Sequence, residues 1–136
     1  MFKRDWTTAL VISLAFAAAT LIGVPFLHPF LQDMERLGYA DQVTIMVFSE
    51  FGRRVPENTG LGTDHGAANN MFVVGKGVTG GHYGDIPSLS NLDPGQNLVH
   101  TTDFRRVYAT MIEGWLEQKS SEQLLGGRFN TFPMFA

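Results

Sequence analysis

The sequence predicts an α/β fold in which a short buried strand is covered by helices. The segment Val43–Phe48 is rich in β-branched residues and apolar on both faces, and a strand buried on both sides usually belongs to a parallel sheet covered by helices. A second short apolar run, Met71–Val74, is predicted to form a neighbouring strand. One helix is predicted before these strands and another after them, and this order of elements indicates an α/β layer.

Composition limits the classes of function that the chain can serve. Its 136 residues suffice for one domain with a modest core. Charged residues make up only 17% of the chain, which is low for a soluble globular protein. The net charge of −3 and the absence of a basic patch predict no nucleic-acid partner. Because there is no cysteine, disulfides, thiol nucleophiles and thiolate metal sites are excluded.

The N-terminal segment, residues 1–27, is predicted to be an apolar helix that precedes the α/β part, residues 28–136. Lys3 and Arg4 lie before a run from Trp6 to Gln32 that contains no aspartate, glutamate, lysine or arginine. Residues 7–27 have the length of a membrane-spanning helix, and the same pattern fits a signal peptide or a core helix separated from its neighbours. The first two interpretations predict a membrane-associated or exported protein on the periplasmic side.

Two further helices are predicted from apolar periodicity. Pro25 and Pro29 are expected to end the first helix. Apolar residues then recur at helical spacing over residues 30–37, which predicts a short second helix that ends at Gly38. The later helix is predicted to begin with Thr102 as its N-cap and Asp103 in its first turn. It then carries an apolar stripe from Phe104 to Leu116.

Three segments have little or no pattern from which regular structure can be predicted. Residues 49–70 are polar and glycine-rich, and we expect a long loop there. Residues 75–96 are expected to form turns with one short strand near Val78. Residues 119–136 have no periodicity from which an element can be predicted.

Candidate site residues follow the first strand. Glu50 and Arg53 lie just beyond it, where ligands bind in open parallel sheets, and Asp64 and His65 are adjacent downstream. Carboxylate and imidazole together suit Zn²⁺ or Mn²⁺, and an arginine suits a phosphate or sulfate group. The alternatives are a locally bonded or solvated Asp-His pair in a loop and an ion pair between Arg53 and Glu50.

Several motifs resemble the C-terminal part of one family. They are Phe48–Arg54, Gly62–Ala68, Met71–Gly81, Tyr83–Gly84 and His100–Thr110. Together they resemble the bacterial domain-of-unknown-function 1501 family, a sulfatase-like branch of the alkaline phosphatase superfamily, from about Phe30 to Leu116.

This resemblance implies a fold and a site. The fold is part of a doubly wound (alkaline phosphatase/sulfatase-like) sheet with flanking helices, and the site holds divalent metal and an anionic phosphate or sulfate ester. Glu50, Asp64 and His65 would bind the metal (Zn, Mn or Ca), and Arg53 would bind the substrate. In the preferred alignment Glu50 follows the metal-ligand strand and His65 is the later histidine. The other alignment equates Asp64, His65 and Gly66 with the Asp-His-Gly motif itself.

Two departures from the superfamily pattern accompany these implications. Phe51 stands where a metal-binding histidine is expected, and neither Thr7 nor Thr8 has the carboxylates that surround the superfamily's nucleophile. No catalytic residue is therefore assigned. Three hypotheses follow: a hydrolase-like domain that binds metal and anion, a non-catalytic membrane-anchored or truncated relative, and half of a hydrolase completed by a partner chain.

Overall fold

The sheet at the centre of the molecule has two strands, and helices lie against both of its faces. The structure, a computed structural model, describes residues 24–135. In order, these residues form α1 (Val24–Arg36), a 3₁₀ turn (Ala40–Gln42), β1 (Thr44–Val47), β2 (Gly52–Glu57), β3 (Thr63–Gly66), β4 (Phe72–Gly75), α2 (Arg105–Thr110), a π-helical turn (Met111–Trp115) and α3 (Glu122–Leu125). The chain is thus a mixed α/β protein, as the order of its apolar segments predicts.

Helix α1 runs through Pro29 instead of ending there, so the predicted break is wrong. The helix forgoes one backbone hydrogen bond at the proline, and the packing of its apolar face against the sheet offsets that loss. Its C-terminal end is the predicted one. Gly38 has φ +78°, and the amide of Tyr39 donates to the carbonyl of Met34 at 2.8 Å, which together form a Schellman cap.

Strand β1 is buried on both faces, as predicted, because successive side chains point to opposite sides. Val43, Ile45 and Val47 face α1, where they contact Leu27, Phe30, Leu31 and Met34. Met46 faces α2 and packs with Val107, Met111 and Trp115. Two layers of helix therefore cover one strand.

The predicted direction of strand pairing is wrong. Strand β4 is the neighbour of β1, as expected, but Thr44 pairs with Gly75 and Val47 with Phe72 in an antiparallel register. The remaining strands, β2 and β3, form a separate two-stranded antiparallel sheet. The described residues thus contain two small antiparallel sheets and no doubly wound one. Burial of both faces follows from the covering helices and does not require parallel strands.

Helix α2 begins later than predicted and ends differently. Thr102 does not cap it; the carboxylate of Asp103 accepts the amide hydrogen of Arg105 at 2.9 Å instead. After Thr110 the backbone widens into the π-helical turn, in which the amide of Leu116 donates to the carbonyl of Met111 at 2.9 Å. The predicted apolar stripe is nevertheless confirmed at its centre, because Val107, Met111 and Trp115 are buried.

The C-terminal residues pack across α2 and the glycine-rich segment. The short strand expected near Val78 does not form; Val78 makes only an isolated bridge with Phe135. Met134 is buried, and the amide of Phe132 donates to Thr110 Oγ1 at 2.8 Å. A segment without recognisable periodicity therefore completes one side of the core.

The predicted apolar helix of residues 1–27 lies outside the described residues except at its last four positions, which belong to α1. Among residues 24–135, no helix is both long enough and apolar enough to cross a bilayer.

Candidate functional site

The candidate site lies on a β-hairpin formed by β2 and β3. Gly52 pairs with Gly66, Arg53 with His65, and Glu57 with Thr63, with an irregular register between Arg53 and Glu57. The prediction of a long loop over residues 49–70 is therefore wrong. The hairpin escapes prediction because most of its side chains are exposed, so its strands show no apolar alternation. Pro56 lies in the irregular stretch, where no ladder hydrogen bond is needed.

The turn of the hairpin is held by the side chain of Asn58. Its Oδ1 accepts the amide hydrogens of Gly60 at 2.9 Å and Gly62 at 3.1 Å. Its Nδ2 donates to Asp64 Oδ1 at 3.0 Å. Asparagine commonly forms such turns with the backbone that follows it, and here the same side chain also fixes the carboxylate of a candidate ligand.

Close contact between chain segments sets the base of the hairpin. A side chain at Gly52 would place its Cβ 1.5 Å from the carbonyl oxygen of Ala68. The structural role of Gly52 is therefore to leave room for this contact. The Nδ2 of Asn69 donates to the carbonyl of Ser49 at 2.5 Å, and the amide of Ala67 donates to Asn97 Oδ1 at 3.2 Å.

Glu50 and Arg53 lie where the sequence places them, just beyond β1. Glu50 is exposed in the bend between β1 and β2. Arg53 is exposed on β2, and its Nη1 donates to the carbonyl of Thr63 at 2.7 Å. Among residues 24–135 Arg53 has no ion pair, so the alternative of an Arg53–Glu50 pair is not what the structure contains.

Asp64 and His65 are both exposed, but they point to opposite sides of β3 because they are consecutive in a strand. Asp64 turns toward Asn58. The imidazole of His65 stacks on the ring of Phe51, with 3.6 Å between ring centroids and 11° between planes. His65 therefore shares its face of the hairpin with Phe51 and with its strand partner Arg53.

This arrangement does not bring Glu50, Asp64 and His65 together as one metal site. Within residues 24–135 no three histidine, aspartate or glutamate side chains are grouped closely enough to hold a metal ion. Because Asp64 and His65 diverge, these residues by themselves do not fit the divalent metal that the resemblance implies. Their individual metal roles stay predictions.

One cationic side chain at the hairpin is partly buried. Arg54 is half-buried, and its Nε has no hydrogen-bond partner among the described residues. The nearby carboxyl of Asp93 has a lowered pKa, chiefly because the amide of Asn97 donates to it, with Arg54 contributing by charge attraction. Arg54 is therefore less accessible to a ligand than Arg53, which is exposed.

Sequence reasoning missed the roles of Phe51, Thr63 and Asn58. Phe51 and Arg53 are two residues apart, and residues with that spacing in a strand point to the same face of the sheet. This spacing becomes informative only once residues 52–57 are known to be a strand. No local signal links Phe51 to His65, because that contact depends on the register of the hairpin.

Comparison with known proteins identifies the family of this chain. The family model described as "Protein of unknown function (DUF1501)" matches residues 27–114, and the chain belongs to this family. The match includes α1 from its fourth residue, both sheets and α2. Searches of curated proteins and of solved structures found no match.

Proposed function

We propose that the chain is the C-terminal part of a sulfatase-like α/β domain and that Arg53, with His65 beside it, binds an anionic phosphate or sulfate ester. The proposal rests on the position and the hydrogen bonding of the Arg53 guanidinium group. Its guanidinium group is anchored by the carbonyl of Thr63 at 2.7 Å, is exposed, and has no ion-pair partner among the described residues.

The anchored guanidinium suits a tetrahedral anion. A guanidinium group is planar and carries five N–H donors in a fixed fork. In Arg53 the hydrogen bond to Thr63 uses Nη1, which leaves Nε and Nη2 as an edge with two parallel donors. Two oxygens of a phosphate or sulfate group match that edge. Because the group is already held in place, less conformational entropy is lost when the anion binds.

The position of His65 adds a second contact on the same face. His65 is the strand partner of Arg53, and side chains of directly paired residues lie about 5 Å apart on one side of a sheet. An imidazole N–H donates to anionic oxygen as a guanidinium does. Two donor groups on one face therefore distinguish this part of the hairpin from an isolated surface arginine.

We include a divalent cation (Zn²⁺, Mn²⁺ or Ca²⁺) in the proposal only on the condition that groups outside residues 24–135 supply some of its ligands. Glu50, Asp64 and His65 remain the residues of this chain that would contribute, but Asp64 and His65 face opposite sides of β3. A partner chain or another segment would complete the set. For the described residues alone we therefore propose contact with the anion and no turnover.

A second candidate, a non-catalytic relative that is membrane-anchored or truncated, is favoured by the same divergence of Asp64 and His65. It predicts no hydrolysis of aryl phosphate or aryl sulfate by the full chain at any concentration of added Zn²⁺, Mn²⁺ or Ca²⁺. It also predicts membrane association that is lost when residues 1–27 are removed. Metal-dependent hydrolysis by the purified full chain would exclude this candidate.

Calorimetric titration of the full chain with inorganic sulfate and phosphate at low ionic strength tests the anion site. We expect Arg53→Ala to weaken binding by about tenfold or more, since a charge-assisted hydrogen bond contributes ~1.5–3 kcal/mol. Arg53→Lys keeps the charge but loses the fork, so its affinity should lie between the two. Arg128→Ala removes an exposed arginine elsewhere and serves as the control. Equal affinity in the Arg53→Ala and control variants would refute the proposal.

Thermal shift measurements test the cation. We expect Zn²⁺, Mn²⁺ or Ca²⁺ to raise the unfolding temperature when the partner chain or segment that completes the metal site is present. A metal ion that binds only the folded state stabilises that state. His65→Ala and Glu50→Ala should reduce that increase, whereas His82→Ala, at an exposed loop histidine, should not. An increase that His65→Ala and Glu50→Ala leave intact would refute the metal roles of these residues.

A further inference from the structure

Phe51 makes its closest ring contact with an exposed histidine and not with the core. Its ring lies 3.6 Å from that of His65, measured between centroids, and the two planes are nearly parallel. The Cζ atom of Arg53 lies 5.3 Å from the centroid of the same phenyl ring. Neither core cluster of the described residues includes Phe51. One half-buried phenyl ring therefore contacts both proposed anion-binding side chains.

The backbone of Phe51 is held by hydrogen bonds to two neighbouring side chains. Its amide donates to Ser49 Oγ at 3.4 Å, and its carbonyl accepts a hydrogen bond from Asn69 Nδ2 at 3.4 Å. Phe51 is followed directly by Gly52, which is fixed by the close approach of the Ala68 carbonyl. The ring is thus presented from an anchored segment, so it can restrict the side chains that rest on it.

Stacking determines where the imidazole of His65 directs its nitrogens. Both ring nitrogens lie in the plane of the imidazole, and their hydrogen bonds extend outward in that plane. A phenyl ring parallel to this plane covers one face and leaves the nitrogen-bearing edge open. The contact with Arg53 restricts the guanidinium in a similar way, because cations are attracted to the face of an aromatic ring.

We propose that Phe51 is a positioning residue whose ring orients the imidazole of His65 and the guanidinium of Arg53 toward one bound anion. This inference rests on the proposed function of Arg53 and His65. It gives a role to the position at which the resemblance expects a metal-binding histidine. Phe51 touches the two anion-binding side chains and acts through them, without a hydrogen-bonding group of its own for the anion.

Two measurements on the full chain at one fixed pH test the proposal, with inorganic sulfate as the probe. The first measurement is the NMR chemical shift of the imidazole ring protons in histidine-labelled protein, with the His65 signals assigned by means of His65→Gln. The ring current of Phe51 should displace the chemical shifts of the His65 ring protons relative to those of the loop residue His82. Phe51→Met keeps an apolar side chain but removes the ring, and it should abolish the displacement. It should also weaken sulfate binding about threefold to tenfold, the range expected for one aromatic contact. Phe51→Tyr retains the ring and should restore both.

The possible results separate this inference from the proposed function. Loss of the ring-current displacement and of affinity in Phe51→Met, with both restored in Phe51→Tyr, supports the role of Phe51. Unchanged sulfate affinity in a folded Phe51→Met variant overturns it, and so does a wild-type His65 signal without displacement. If the displacement is present but the wild-type chain binds no sulfate, the anion site fails and the positioning role fails with it. NMR contacts between the paired residues Gly52 and Gly66 show whether each variant keeps the hairpin. If Phe51→Met loses these contacts, Phe51→Leu is measured in its place.

Discussion

Replacing Thr44 by valine removes a hydroxyl group that is buried in β1 without a hydrogen-bond partner among the described residues. Thr44 is completely buried, and its Oγ1 has no hydrogen-bond partner within residues 24–135. A buried hydroxyl without a partner costs about 1–3 kcal/mol in protein mutational data. Valine has nearly the same shape and replaces the hydroxyl by a methyl group. We expect Thr44→Val to raise the free energy of unfolding by about 1–2 kcal/mol.

Thr110 supplies the matched control, because it is equally buried but fully bonded. Its hydroxyl donates to the carbonyl of Arg106 at 2.7 Å and accepts the amide hydrogen of Phe132 at 2.8 Å. Thr110→Val removes both bonds and leaves a half-buried amide of the C-terminal segment without its acceptor. We expect the free energy of unfolding to fall by about 1–3 kcal/mol. The same chemical change should therefore have opposite signs at the two positions.

Urea unfolding of the full chain, followed by circular dichroism, measures both changes under identical conditions. The midpoint should move to higher urea for Thr44→Val and to lower urea for Thr110→Val, with no change in the denaturant slope. A lower midpoint for Thr44→Val would show that its hydroxyl is bonded and refute the reasoning. Equal changes at the two positions would show that the hydroxyl matters only through its volume.

Three further predictions concern the hairpin and α2. Gly52→Ala places a Cβ 1.5 Å from the carbonyl oxygen of Ala68, so it should cost more than the ~1–3 kcal/mol typical of overpacking, as urea unfolding will show. Asn58→Ala removes three hydrogen bonds from the turn and should speed amide hydrogen exchange in the hairpin while α2 stays protected. The Arg105 side chain, by hydrogen bonding, lowers the pKa of Asp103 from 3.8 to about 2. The stabilisation from the Asp103 carboxylate should therefore be complete above about pH 4 and lost as the pH falls toward 2, and solvent screening limits it to ~1 kcal/mol. Arg105→Ala should reduce it in acid titrations without abolishing it, because the backbone amide at position 105 still donates to the carboxylate.

The elements that the sequence predicted correctly are those with apolar periodicity. Strand β1 and the stripe on α2 bury their apolar side chains, so their patterns report the core directly. Strand direction left no such pattern, because burial on both faces is compatible with parallel and antiparallel pairing when helices cover both sides. The sequence also carried no signal for the π-helical turn at Met111–Trp115, because its apolar residues repeat at ordinary helical spacing.

For the candidate site, the sequence placed residues correctly but not their relations. Glu50 and Arg53 follow β1 as predicted, because chain connectivity alone fixes that position. The contact of Phe51 with His65 depends on the register of β2 with β3. That register is set by the turn at Asn58 and the irregular stretch before Glu57, and neither has a unique sequence signal. The divergence of Asp64 from His65 follows only once they are known to lie in a strand.

The C-terminal segment has a consequence for folding during synthesis. Tyr83 donates to the carbonyl of Pro133 across 50 residues, and the amide of Thr79 donates to the carbonyl of Met134 at 2.8 Å. Contacts of such separation form late, because closing a long loop costs entropy before any contact is gained. On the ribosome, the strands and α1 are made on the order of seconds before residues 132–135. During that interval the apolar face around Met46 lacks its final cover and is open to chaperones, so the nascent chain should depend on them most just before these residues emerge.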